Sequence, residues 1–218
     1  MPEKYLSIIT NFGCHFTCPY CIVKNNHIDV PRTTIESLDK LKDAVKAEGA
    51  TIISVSGGGD PLHNYSEHKD YYDKLFALCE EMDIPIEMHT SYLNVKDFPY
   101  EKCHRVVYHL RGMSQIGRVT RKGNEKVRIV FVVDKSVKPS AITYYYTLYR
   151  LNMDIDELSF RQMVDENYQT TDYYQDFLKE GHDKGRWHYI EQGDYNTYFV
   201  EGKLYYKFSD IKGEKKND

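Results

Sequence analysis

Three of the five cysteines fall within eight consecutive positions of the stretch NFGCHFTCPYCIVKNN, residues 11–26. Thiols crowded in this way in a chain without a secretory signal point to metal binding or catalysis rather than to a disulfide. Spacings of three and then two residues depart from the two separated ligand pairs of a structural zinc site. An iron-sulfur cubane binds thiolates at its corners, and three cysteines hold three irons while the fourth stays open to an outside ligand. Cys14, Cys18 and Cys21 are therefore the candidate metal ligands. The rival is a non-enzymatic zinc module with His15 or His27 as fourth ligand, although His15 lies too close to Cys14 in sequence to bite comfortably beside it.

A second stretch with chemical content is SGGGDPL, residues 56–62. Glycines directly after a buried strand permit backbone conformations and ligand approach that a Cβ would block, and their N–H and C=O groups suit a charged ammonium and carboxylate. Asp60 is placed to accept from an ammonium. Polar residues also gather where later strands end: Thr90 and Ser91 in EMHTSY, His109 and Arg111 in YHLRGMS, Arg161 beside Gln162 in LSFRQM. Against a role at the site, Thr90 and Ser91 suit a helix cap, His109 and Arg111 a hydrogen-bonded rim pair, and Arg161 an ion pair. The run RVTRKGNEKVR, residues 118–128, carries five basic residues and one acidic, which reads as a solvated face before it reads as a nucleic-acid surface.

These groups need a scaffold that brings strand ends together. Short β-branched runs at 5–10, 51–56, 85–90, 105–110, 127–133 and 157–163 alternate with helical stretches, the pattern of βα units on a parallel sheet. Between the first two, Ile35, Leu38, Leu41 and Val45 recur at the helical period, Thr34 is the expected cap and Gly49 the stop. A second helix covers EHKDYYDKLFALCEEMD with Tyr71, Leu75, Leu78, Cys79 and Met82 on one face; further helices are expected around 94–102, 114–123 and 139–153. The fifth strand is expected to be hydrophobic on both faces. Six units are too few for a closed eight-unit barrel, so the expected fold is α/β: an open, partial (βα)6 TIM-like barrel whose ligands collect at the C-terminal strand edges. After residue 163 the rhythm fades into an aromatic-rich extension, residues 164–218 of the same domain. It contains a β-hairpin around Glu201-Gly202, aromatics that pack across the barrel's open side as core and lid (Trp187, His188, Tyr189 and the tyrosine pairs 173–174 and 205–206), and a frayed tail, KGEKKND.

Composition sets outer bounds. The chain has 218 residues, 41% of them hydrophobic, and a formal charge of −4, so neither a bulk polyanion nor a membrane surface is demanded. No apolar run is long enough to span a bilayer, and the first residues lack a basic and then apolar leader pattern. A cytoplasmic protein is expected.

The C-x3-C-x2-C loop after the first strand resembles the radical S-adenosylmethionine (SAM) superfamily over residues 5–163. Tyr20 stands where that family has an aromatic before the third cysteine, and Gly58, Gly59, Asp60 and Pro61 match its Gly-Gly-Glu-Pro-like turn, with Asp in place of the commoner Glu. The resemblance implies a [4Fe-4S] cluster on the three cysteines and SAM chelated at the unique iron. One electron from an external reductant such as flavodoxin or ferredoxin would cleave SAM to methionine and a 5′-deoxyadenosyl radical that removes a hydrogen atom from substrate. Tyr20, Gly58, Gly59 and Asp60 would border SAM, and Thr90, Ser91, His109, Arg111 and Arg161 would meet ribose, carboxylate or substrate. No second cysteine cluster is present, against the peptide-modifying members with auxiliary clusters, and a small-molecule or nucleotide-related substrate is favoured over a glycyl-radical-enzyme activase acting on a protein. A nucleic-acid substrate is not favoured.

Overall fold

In the computed structural model, which describes residues 3–190 and 197–211, alternation of β-branched strands with amphipathic helices builds one nine-stranded sheet. Its strands are β1 (Tyr5–Thr10), β2 (Ile52–Gly57), β3 (Ile86–Thr90), β4 (Arg105–Leu110), β5 (Lys126–Val133), β6 (Glu157–Gln162), β7 (His188–Ile190), β8 (Thr197–Val200) and β9 (Lys203–Tyr205). The spatial order is β7-β6-β5-β4-β3-β2-β1-β8-β9, and every pairing is parallel except β8 with β9. The six strands expected from the sequence are thus present, in sequential order. The helices are a short α1 (Ile22–Asn25) after the cysteines, α2 (Leu41–Glu48), α3 (Lys69–Glu81), α4 (Pro139–Leu151) and α5 (Gln175–Asp183).

Strand periodicity divides the sheet into two unlike faces. On the outer face Leu6, Ile53, Met88, Val106, Ile129 and Phe160 pack against Leu41, Leu75, Ile142 and Leu178 of helices α2 to α5 in the main core. Fully burying each such side chain contributes about 1.5–3 kcal/mol. On the inner face the alternate positions are largely polar: Ser7, Ser54, Glu87, Arg105 and Ser159 are buried there, and Arg128 bonds Glu157 at 2.5 Å. Strand β5 is apolar on both faces as expected, with Val130 and Val132 inward and Val127, Ile129, Phe131 and Val133 outward, save at its start, where Arg128 turns inward to meet a carboxylate from β6.

The structure corrects other expectations. Around 94–102 and 114–123 only 3₁₀ turns form, Tyr100–Lys102 and Met113–Arg118, since Pro99 lacks an amide donor and Gly117 with Val119 and Thr120 disfavours a longer helix. Thr34 does not cap with its own side chain; its amide and hydroxyl donate to the Glu201 carboxylate at 2.9 and 2.7 Å. Glu201 and Gly202, at φ 45° and 72°, form the expected hairpin turn, a conformation with positive φ at both centres that glycine adopts freely. Residues 164–190 add α5 and β7 as a further βα unit instead of losing the rhythm. Trp187 is buried between helices and sheet, edge-on to Phe160, with its indole N–H donating to Leu178 O at 3.0 Å, so it belongs to the outer core rather than to a cover over the open side. Cys79 lies in the core as expected, its thiol pushed up to about 12 by burial. The tail 212–218 and the first part of the expected hairpin segment, 195–196, lie outside the described residues.

Candidate functional site

A cavity of about 340 Å³ opens at the C-terminal ends of the parallel strands. Cys14, Cys18 and Cys21 line it from the β1 loop, with Tyr20 beside them; Gly58, Gly59 and Asp60 line it from the β2 turn, and Thr90, Ser91, His109 and Arg161 from β3, β4 and β6. Eleven of the twelve residues singled out from the sequence thus share one space. Arg111 is the exception: it lies one residue beyond the end of β4 at Leu110, and its guanidinium stacks 4.3 Å from the ring of Phe16, which itself lines the cavity from the cysteine loop.

The glycine turn and the cysteine loop are built into each other. Asp60 N donates to Gly13 O at 3.0 Å, and Gly58 N donates to Thr10 O at 2.7 Å. A Cβ on Gly59 would stand 2.3 Å from Gly13 O, and one on Gly58 2.6 Å from Val30, so what excludes side chains here is the neighbouring backbone and core as well as the cavity. Val30 belongs with Ile9, Val200 and Ile211 to a second small core, into which Val23 and Ile28 of the segment after the cysteines also pack. Tyr72, fully buried on α3, donates to Pro61 O and fixes the far side of the turn.

Asp60 has a structural partner set that the sequence did not disclose. Its Oδ1 accepts from Leu62 N at 3.0 Å and Thr90 Oγ1 at 2.7 Å, and its Oδ2 accepts from Ser91 N at 2.7 Å. Burial pushes its carboxyl up, while these three donors pull it back toward the ionised form. Thr90 and Ser91 are therefore held against the turn instead of capping a helix. Asp60→Asn places an amide N–H₂ against a backbone donor, and we expect a loss of about 1–3 kcal/mol of stability, read as a lower denaturant midpoint at unchanged slope.

The thiols of Cys14 and Cys18 are pushed up by burial, and the nearby Arg111 charge pulls Cys18 part of the way back. Burial and the neighbouring Cys18 push the Tyr20 hydroxyl up as well. Tyr92 ties the loop to the end of β3: its hydroxyl bonds His15 Nδ1 and lies 2.7 Å from His63 Nδ1. Among the described residues no three His, Cys, Asp or Glu side chains converge on a point that one ion would fill.

Sequence reasoning passed over His89 and Glu87. His89 lines the cavity beside His109, and Glu87 Oε1 lies 2.7 Å from His89 Nε2 while Arg105 Nη1 donates to Oε2 at 2.6 Å. Their signal was available as alternation, since Glu87-x-His89 on β3, Arg105 and His109 on β4 and Glu157-x-Ser159-x-Arg161 on β6 put polar groups at every second or fourth position. Burial alone would raise the Glu87 carboxyl, but the hydrogen bonds and charges of His89 and Arg105 hold it at about 2. Burial and the charges of His89 and Arg161 push His109 well below the usual histidine range.

The sign for stability follows from these two groups. An unfolded histidine binds a proton below about 6.5 where buried His109 does not, and an unfolded glutamate binds one below about 4.5 where Glu87 does not. Stability is thus expected to fall as pH drops below 6.5 and again below 4.5, Glu87 accounting for on the order of 3 kcal/mol by pH 2, with Asp60 opposing in the acid range. Urea midpoints measured from pH 7.5 downward check this; a flat profile from 7 to 5 contradicts it.

The model of a family described as the radical SAM superfamily matches residues 8–130, more than half of the chain. No curated protein matches the sequence. Among solved structures, Streptococcus suis SuiB bound to S-adenosylmethionine is similar in fold at a TM-score of 0.62 and 17% identity, over 88% of this chain and 48% of that one. The chain thus spans about half the length of that protein. Among the described residues no helix is long and apolar enough to cross a membrane. Members of the matched family work with a [4Fe-4S] cluster and SAM, and the chain belongs to the radical SAM superfamily.

Proposed function

We propose that Cys14, Cys18 and Cys21 hold a [4Fe-4S] cluster at the cavity mouth and that the chain uses SAM bound there to take a hydrogen atom from a small-molecule or nucleotide-related substrate. The observation that carries this is the sharing of one cavity by three thiols of a single loop and the glycine turn of the next βα unit. Three thiols of one loop at the edge of an open cavity suit a cubane that offers each thiolate its own iron and leaves the fourth iron to an outside ligand. When bound, the cluster and SAM supply the one-electron chemistry, and the protein contributes orientation and exclusion.

The chain's own residues divide that work. Gly58 and Gly59 bring bare backbone to the cavity wall, and Asp60 keeps Thr90 and Ser91 in place beside it. Met163 and Val164 line the cavity after β6, and Asn26 Nδ2 reaches Asp165 O at 3.3 Å, which ties that cover to the cysteine segment and limits water. Arg161 brings a positive charge suited to a carboxylate or phosphate. Within the run 118–128, Arg121 bonds Asp156 and Arg128 bonds Glu157, so two of its five cations face acids rather than a nucleic acid. An external reductant such as a flavodoxin or ferredoxin would deliver the electron, in the cytoplasm.

Purification without oxygen, followed by iron and sulfide determination, is expected to give one cubane per chain, and dithionite with SAM is expected to yield 5′-deoxyadenosine. Colourless protein with stoichiometric zinc would sink the proposal in favour of a non-enzymatic module. A cluster-loaded chain that never cleaves SAM would remove the enzymatic reading.

A further inference from the structure

The inner face of the sheet carries a polar chain that neither the cysteine loop nor the glycine turn accounts for. His109 Nε2 lies 3.0 Å from His89 Nδ1, and His89 Nε2 lies 2.7 Å from Glu87 Oε1. Both imidazoles line the cavity, whereas Glu87 and Arg105 beneath them are 4% and 6% exposed. The chain therefore runs from a place where substrate can reach to a buried ion pair.

Its hydrogens follow from its acceptors. The Glu87 carboxylate, held ionised by Arg105 and His89, accepts only, so His89 Nε2 must carry a hydrogen. In the uncharged pair His89 Nδ1 is then an acceptor, His109 donates to it from Nε2, and His109 Nδ1 keeps a lone pair. Among the described residues His89 is the only hydrogen-bond partner of His109. With one proton more, the central bond reverses and His109 Nδ1 carries the hydrogen.

We propose that Glu87, His89 and His109 form a one-proton relay at the cavity floor, in which His109 accepts the proton of a hydroxyl carried by the substrate's reacting carbon. The inference rests on the proposed function, because loss of a hydrogen atom from a carbon acidifies the hydroxyl attached to it. In the step the substrate O–H bond breaks and its electron pair stays on oxygen. The proton bonds to His109 Nδ1, the hydrogen on His109 Nε2 passes to His89 Nδ1, and no electron enters or leaves. The positive charge comes to rest on His89 against Glu87, and the substrate oxygen becomes negative. The charged and titratable groups that act on His109 are His89, Arg161 and Glu87, and burial with the first two disfavours a cation on His109 itself. His109 is thus the catalytic residue, with His89 and Glu87 as positioning residues.

The test is a pH titration of the full, cluster-loaded chain with ¹⁵N-labelled histidine, signals being assigned against a His109→Gln chain. The relay requires that the two rings take up one proton between them, His109 staying neutral while its hydrogen moves from Nε2 to Nδ1. In Glu87→Gln the midpoint of that uptake is expected to fall by about one pH unit or more, a tenfold loss of proton affinity. Independent titration of the two rings, or a His109 tautomer that never changes, overturns the proposal whatever Glu87→Gln does. Loss of the tautomer change on adding SAM alone would assign His109 to the cofactor and also overturn it. Formation of 5′-deoxyadenosine in the same preparation separates the two readings. A chain that forms it but lacks the tautomer change keeps the proposed function and loses the relay, whereas the tautomer change without it removes the substrate step along with the proposed function.

Discussion

Cys18→Ser is expected to abolish 5′-deoxyadenosine formation and to leave iron well below one cubane per chain, while the apo chain melts within about 0.5 kcal/mol of the parent. The two effects separate because of where Cys18 stands. It sits on a loop, half-exposed, and its side chain takes no part in the core that holds the sheet. Serine keeps the size but offers a hard oxygen with a far higher pKa than a thiol, and a cubane corner needs a thiolate. Loss of a direct ligand should exceed the roughly 10–100-fold losses that follow mutation of supporting residues around a metal. Cys14→Ser and Cys21→Ser should behave alike, whereas Cys79→Ser places a hydroxyl in the core and should lower stability without touching iron content. Full iron and full activity in Cys18→Ser would remove it from the ligand set.

Gly59→Ala is expected to do what the cysteine variants do not, lowering stability and cluster uptake together. The added methyl would lie 2.3 Å from Gly13 O and 2.7 Å from Gly13 C, and backbone atoms cannot swing aside as a side-chain tip can. Relief requires the root of the cysteine loop to move, since Gly13 immediately precedes Cys14 and its carbonyl also accepts from Asp60 N. Overpacking of this kind typically costs about 1–3 kcal/mol. Gly112→Ala is the control: its φ of −172° is open to any residue and nothing lies within 4 Å of the new methyl, so stability and iron content should stay at parental values. If Gly59→Ala melts like Gly112→Ala and loads a full cluster, the interlocking of turn and loop is not what holds the site.

Much of this architecture is legible in one dimension because its causes are local. The first and fourth strands have the bounds read from YLSIIT and RVVYHL, and the other four differ by one residue at one or both ends, since β-branched runs punctuated by glycine and proline report strand limits directly. The hairpin at Glu201-Gly202 is similarly local. The helices expected around 94–102 and 114–123 give way to 3₁₀ turns, since short crossovers with Pro99 and Gly117 leave no room for a full helix. Unit α5 and β7 escaped notice because β7 is only three residues long, and its place is set by pairing with β6 rather than by its own pattern.

The sequence by itself determined the parallel strand succession, the three-thiol loop after β1, the glycine turn after β2 and, through them, the family. Each is encoded by neighbours within a few residues. Only the tertiary structure decided which polar side chains meet. Asp60 finds Thr90 and Ser91 some thirty positions away, Glu87 is joined to Arg105 across a strand pair and Arg105 to Glu157 at 3.4 Å across another strand, and Arg111 stacks on the Phe16 ring of the cysteine loop. Side-chain alternation marks two faces on every strand, but which face lies under helices and which encloses the cavity is fixed by strand register and helix packing together, long-range contacts that no short stretch of sequence contains.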